Sequence, residues 1–196
     1  GKTMSPVGLA SGKKVIFTCA AKHIGLQLAK ACISMEIPIA VAFGCQDPND
    51  IRLHYFAAKD YTKRVWLSWT TRGNKLNRLP STELLHDAIL KSVDLDIECQ
   101  LVNCVHADTA TLAISRLQKE KSFGIYANSS IYKKNKLEGF ISDSDEWHYH
   151  NHQHIDPKEY GKYVQDWIKQ GAIVIGGCCR TTTDHIRVIR DIVDNL

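Results

Sequence analysis

No stretch of this 196-residue chain approaches the roughly 18 consecutive apolar residues needed to cross a bilayer. The segment Gly1–Lys14 lacks the apolar core of a signal peptide, so the chain reads as cytoplasmic and without membrane attachment. Nor is one charge sign in excess: 25 basic residues are scattered among 21 acidic ones, for a net charge of +4. That excludes the basic stripe by which a nucleic-acid binder neutralises phosphates. Seven cysteines are present, but they show neither the regular spacing of a secreted disulfide framework nor any Cys-x-x-Cys pair. Both a disulfide scaffold and a thioredoxin-like redox site are thereby disfavoured, and reduced thiols are expected. With 44% hydrophobic and 23% charged residues, the composition is that of a single globular domain over 1–196, large enough to bury one core. A small-molecule partner is the reading that remains.

From residue 38 onward, short β-branched runs alternate with amphipathic stretches, the pattern of strands crossed over by helices in a parallel α/β sheet. Ile39–Phe43, Val65–Trp69, Cys99–Asn103, Phe123–Ala127 and Ala172–Ile175 read as strands apolar on both faces. Helices are predicted at about 49–60, 81–92, 108–120, 157–170 and 183–194. Asp156-Pro157-Lys158-Glu159 supplies an N-cap, a proline at the first helical position and an early glutamate, and Gly171 ends that helix. Ser81, Asp108 and Thr183 or Asp184 are expected to cap three others. Upstream, Ile24, Leu28, Cys32 and Met35 share one helical face, while Val15–Thr18 reads as a short strand or an extended loop. The irregular stretch 128–155 is polar and rich in Ser, Asp and His, as suits a loop over the working face.

The thiols supply the chemistry. Gly171–Arg180 places Cys178 and Cys179 just beyond a buried strand, with Gly176-Gly177 expected to let the backbone turn sharply. Successive strand side chains point to opposite faces, so the pair converges on one metal only if the strand has ended. Cys104 follows an earlier strand, and in a barrel all such strand ends surround one mouth. Three thiolates leave the fourth tetrahedral position of a zinc ion open, the arrangement of a catalytic site and not of a closed structural one. Spacing alone does not establish the trio, because more than seventy residues separate Cys104 from the pair. Cys19, Cys32, Cys45 and Cys99 read as small core hydrophobes.

Ile175-Gly-Gly-Cys-Cys-Arg-Thr-Thr-Thr-Asp-His-Ile-Arg187 resembles the signature that ends the homocysteine S-methyltransferase family. Leu101-Val-Asn-Cys104 is similar to that family's Gly-Val-Asn-Cys strand end, and Ile125-Tyr-Ala-Asn-Ser129 to its Tyr-Pro-Asn-Ser segment. Val65–Thr70 and Trp167–Ala172 match further pieces in the same order, and Ser5–Gly12 matches more weakly the loop after the third strand. The resemblance implies a (β/α)8 TIM-barrel type fold, here incomplete and lacking the N-terminal strands. It also implies a Zn2+ held by Cys104, Cys178 and Cys179. The implied reaction moves a methyl group from a donor such as S-methylmethionine, S-adenosylmethionine or betaine to the thiol of homocysteine, making methionine. Ser68, Asn103 and Asn128, at matching strand ends, become candidates to touch substrate or to support the metal ligands. Missing strands would leave edges and helix faces bare, which points to a homo-oligomer, or to a non-catalytic relative that keeps zinc or serves as an interaction module.

Trp66, Trp69, Tyr126 and Trp147 offer faces for a cationic donor, but core or lid packing is the favoured reading and no donor pocket is assigned. His148, His150, His152 and His154 alternate and would project to one side of an extended segment, a spacing that matches no zinc-enzyme motif. His185 and Asp184 read as capping or surface residues, and Ser129 lacks a nucleophile elbow.

Overall fold

Among the described residues, the alternating apolar runs and a short N-terminal strand form one six-stranded sheet with helices packed on it. The structure, a computed structural model, describes residues 8–9, 41–45, 47–59, 64–71, 78–79, 81–120, 122–130 and 154–196. In chain order the elements are β1 (Gly8–Leu9), β2 (Val41–Cys45), α1 (Ile51–Lys59), β3 (Val65–Trp69), α2 (Leu85–Leu90), β4 (Cys99–His106), α3 (Ala107–Leu117), β5 (Phe123–Asn128), α4 (Pro157–Lys169), β6 (Val174–Gly177) and α5 (Thr183–Asp194). The helix foreseen near residues 24–35, the segment Val15–Thr18, Cys19, Cys32, Trp147 and His148, His150 and His152 lie outside the described residues. None of the described helices is long and apolar enough to cross a membrane.

Spatial order is β1-β6-β5-β4-β3-β2, so β2 to β6 lie side by side in sequence order. All four of their pairings are parallel, as a chain of β-α crossovers requires. This is an arc of a (β/α)8-type barrel. At the far edge β1 pairs antiparallel with β6, Gly8 opposite Ile175, where a complete barrel would place another parallel strand.

Strand parity sorts the core into two sides. Leu67, Trp69, Val102, Ile125 and Ile175 face the helices and join Leu85, Ile114, Leu117, Val164, Trp167 and Ile189 in the main core. Each large side chain sealed there contributes about 1.5–3 kcal/mol. Trp66, Cys99, Leu101, Tyr126 and Val174 form a second, inner cluster, with Cys178 packed against it. A methyl group on Gly124 would lie 2.5 Å from both the Cβ and the carbonyl oxygen of Val174, so β5 and β6 approach here only because residue 124 has no side chain.

Helix ends follow local chemistry with some shifts from the sequence reading. Asp156 caps α4 by accepting from the Lys158 amide at 2.8 Å. Gly171, at φ +102°, ends it in a Schellman turn: its amide donates to Ile168 O and the Ala172 amide to Trp167 O. Asp108 does not cap α3, because β4 runs straight into that helix and puts His106 at the N-cap, its Nδ1 accepting from the Asp108 amide at 3.2 Å. The cap of α5 is Thr182, one residue before the pair expected, and His185 closes a reciprocal capping box with it. Ser81 caps nothing, since α2 begins only at Leu85 with Leu84 as its N-cap.

Candidate metal centre

The C-terminal ends of β4 and β6 bring three thiols together by different routes. Along β6, Val174 lies on the inner face, and alternation returns Cys178 to that face directly after the strand. Along β4, Cys99 and Leu101 face inward, so alternation alone would turn Cys104 toward the helices. Instead the β4–β5 register shifts between Asn103 and His106, and Cys104 takes a left-handed backbone at φ +56°. A bulge of this kind re-aims one side chain, here toward β6. Cys179 is carried by the turn after β6, in which Arg180 is left-handed at φ +64°.

The outcome is a trio whose Sγ atoms all lie within 4.8 Å of one another, with Cys104 Sγ and Cys179 Sγ 3.7 Å apart. No other cluster of three potential metal ligands occurs among the described residues. Tetrahedral zinc with bonds of ~2.3 Å to sulfur sets two sulfurs about 3.8 Å apart, so the spacing suits such an ion. Hydrogen bonds to Cys104 and Cys179 push the Cys178 thiol well above its ordinary range, and burial adds to this. Three thiols this close ionise together only beside a cation. The residues therefore fit a thiophilic divalent metal.

The glycines before the pair do not make the sharp turn. Gly171 is the one described glycine with positive φ, and both Gly176 and Gly177 remain in β6. Gly177 matters for space: a Cβ there would meet Thr181 Cγ2 at 2.4 Å and Thr181 Cβ at 2.7 Å. Thr181 is held close because its hydroxyl donates to Cys178 O at 2.8 Å.

The residues expected to touch substrate or support the ligands fall into two groups by their contacts. Ser68 is fully buried and its hydroxyl donates to Asn103 Oδ1 at 2.7 Å, which also accepts from Thr70 Oγ1 at 3.3 Å. Tyr126 donates to Ser68 Oγ at 2.7 Å, completing a buried polar chain between β3, β4 and β5 that the sequence offered no signal to assemble. Asn128 instead accepts from the Cys179 amide at 3.0 Å, and so touches the cysteine turn itself. Among the aromatic candidates, Trp69 lies in the helix-facing core with its indole N–H donated to Gln100, and Trp66 donates to Glu98. Both are packing residues. Cys99 is buried in the inner cluster, where desolvation pushes its thiol upward.

A family model described as homocysteine S-methyltransferase matches residues 13–193. The chain belongs to the homocysteine S-methyltransferase family. It is 27% identical to the homocysteine S-methyltransferase of Escherichia coli (strain K12) over 128 residues, 65% of this chain and 38% of that protein. To the selenocysteine methyltransferase of Astragalus bisulcatus it is 27% identical over 135 residues, 67% of this chain and 36% of that one. Among solved structures, the metallated form of the homocysteine methyltransferase MmuM from Escherichia coli matches with a TM-score of 0.58 at 18% identity, covering 86% of this chain and 49% of that one. That likeness concerns the fold. This family member spans less than half the length of these three relatives.

Proposed function

We propose that residues 1–196 form one homocysteine-binding-like domain carrying the thiol-activating centre of a methyltransferase, with Cys104, Cys178 and Cys179 as protein ligands of a zinc ion. The observation that carries this reading is the meeting of the three Sγ atoms within 4.8 Å at the ends of strands far apart in sequence. Zinc, when bound, supplies the positive charge that favours a thiolate over a thiol near neutral pH. The homocysteine sulfur then forms a bond to the donor's methyl carbon as the bond from that carbon to the donor's sulfur or nitrogen breaks. The electron pair leaves with the donor, and the thiol proton passes to solvent. S-Methylmethionine, S-adenosylmethionine and betaine are the donors in view. Ser68 and Asn103, joined with Tyr126 in a buried hydrogen-bonded chain, would line the inner face next to the polar end of the amino acid, and Asn128 would support the Cys179 turn.

Two measurements decide it: zinc content after dialysis, and methionine formation from homocysteine with each donor. One tightly bound zinc and product with one donor are expected, both lost in Cys178→Ser; a parent chain that binds no zinc overturns the proposal. A second reading, a non-catalytic relative that keeps the metal, draws support from the antiparallel β1 at the sheet edge. One equivalent of zinc without methionine selects it.

A further inference from the structure

Ser129 had no assignable role in the sequence, yet it is fully buried beside the cysteine turn. Past the last paired residues of β5 and β6, hydrogen bonds between the two segments continue. The Cys178 amide donates to Ala127 O at 2.8 Å, and the Cys179 amide to Asn128 Oδ1 at 3.0 Å. The Ser129 amide donates to Cys179 O at 3.1 Å, and its hydroxyl to Arg180 O at 2.5 Å. Residues 127, 128 and 129 thus hold 178, 179 and 180 in order. Ser129 is itself braced from the other side, where its carbonyl accepts from the Ile155 amide at 2.5 Å, one residue before the Asp156 cap of α4.

The residue at the far end of this clamp needs holding. Arg180 sits at φ +64°, a conformation disfavoured for any residue with a Cβ, and Thr181 follows it immediately. Such a conformation persists only where the surroundings over-determine it. Were Arg180 to relax to an ordinary φ, the peptide after Cys179 would rotate and carry the thiol away from Cys104.

We propose that Ser129, together with Asn128, is a positioning residue that locks Arg180 left-handed and thereby aims Cys179 at Cys104. The proposal rests on the reading of the thiol trio as a metal centre, but its test separates the two.

The test compares the parent chain with Ser129→Ala, Arg180→Gly and the double variant, each first shown to unfold cooperatively. Zinc affinity is read by chelator competition. Ser129→Ala is expected to weaken zinc about 10-fold, a usual loss for a group that supports a metal ligand. Glycine takes the left-handed conformation without a steric penalty, so in the Arg180→Gly background the same change is expected to cost less than about 2-fold. Equal losses in both backgrounds overturn the proposal. Arg180→Ala keeps the Cβ and removes the charge, and in it the 10-fold effect of Ser129→Ala is expected to persist. Asn128→Ala deletes the neighbouring bond and carries the same comparison if Ser129→Ala does not fold. In the zinc-free proteins, amide hydrogen exchange at Cys179 is expected to quicken in Ser129→Ala and to slow again in the double variant; an unchanged rate contradicts the clamp. A parent chain that binds no zinc refutes the metal reading, and the exchange rates then decide the clamp alone.

Discussion

The two cysteine-bearing strand ends reach the same point by opposite means. On β6 the thiol of Cys178 arrives by simple alternation, an even step from Val174, and packs on the inner cluster without backbone distortion. On β4 the alternation is wrong for Cys104, and a register shift with a left-handed residue reverses it. Cys179 needs a left-handed neighbour as well, Arg180. One ligand is thus set by parity and two by local departures from it. Non-glycine residues at φ near +60° cost on the order of 1 kcal/mol each and tend to be retained where function uses them. The site is assembled where the sheet stops being regular.

The largest expected effect breaks both ends alike. Cys104→Ser and Cys178→Ser should each lower zinc affinity by roughly 100-fold or more, because each removes a ligand outright. Competition with a chromogenic chelator checks this, and parent-like affinity in either variant would break the equivalence of the two ends.

Next come the two close approaches beside β6. Gly124→Ala drives a methyl group into Val174, including its backbone oxygen, and should destabilise the fold by about 2–3 kcal/mol in urea unfolding. Gly177→Ala meets the Thr181 side chain instead, part of which can rotate, so a loss of about 1–2 kcal/mol is expected. Zinc affinity should fall more in Gly177→Ala than in Gly124→Ala, since Thr181 is tied to Cys178 O. The reverse order would place the sensitive packing away from the thiols.

The smallest effect concerns pH. Burial holds His185 below its ordinary pKa, with His154 adding to the depression and the Ile155 carbonyl, Asp156 and Asp184 opposing it. Its Nε2–H donates to Ile155 O at 2.7 Å while Nδ1 accepts from the Thr182 amide at 3.1 Å, so the fold uses the neutral ring. The unfolded chain takes up this proton first as pH falls below about 6.5. The stability this ring contributes is therefore fully present above that pH and is lost progressively as pH drops toward and through the folded pKa. His185→Gln should flatten that acid-side slope in urea titrations at several pH values; an unchanged slope would assign it to other groups.

The alternation of strands and helices is legible because continuous apolar runs mark buried strands and a helical period marks α5, so β3 at Val65–Trp69 and α5 at 183–194 fall at the expected bounds, whereas α2 shrinks to Leu85–Leu90 from the expected 81–92. The cysteine trio was nameable through the motifs that carry the family resemblance. Its geometry was not, because a bulge is a relation between two strands and leaves no mark in β4 alone. Gly176-Gly177 reads as the turn in the sequence, whereas the left-handed position falls on Arg180, a residue type that ordinarily avoids it. His106 was hidden for a related reason: an imidazole N-cap works only because β4 enters α3 with no intervening loop. The edge pairing of Gly8–Leu9 with β6 likewise depends on tertiary approach and has no local signal.

X-ray absorption at the zinc edge of the reconstituted chain addresses the central claim most directly. Three sulfur scatterers at ~2.3 Å, with one lighter ligand that gives way to a fourth sulfur when homocysteine is added, are the expected result. A zinc shell of nitrogen and oxygen alone, unaltered by homocysteine, would show that the thiols of residues 104, 178 and 179 do not share an ion.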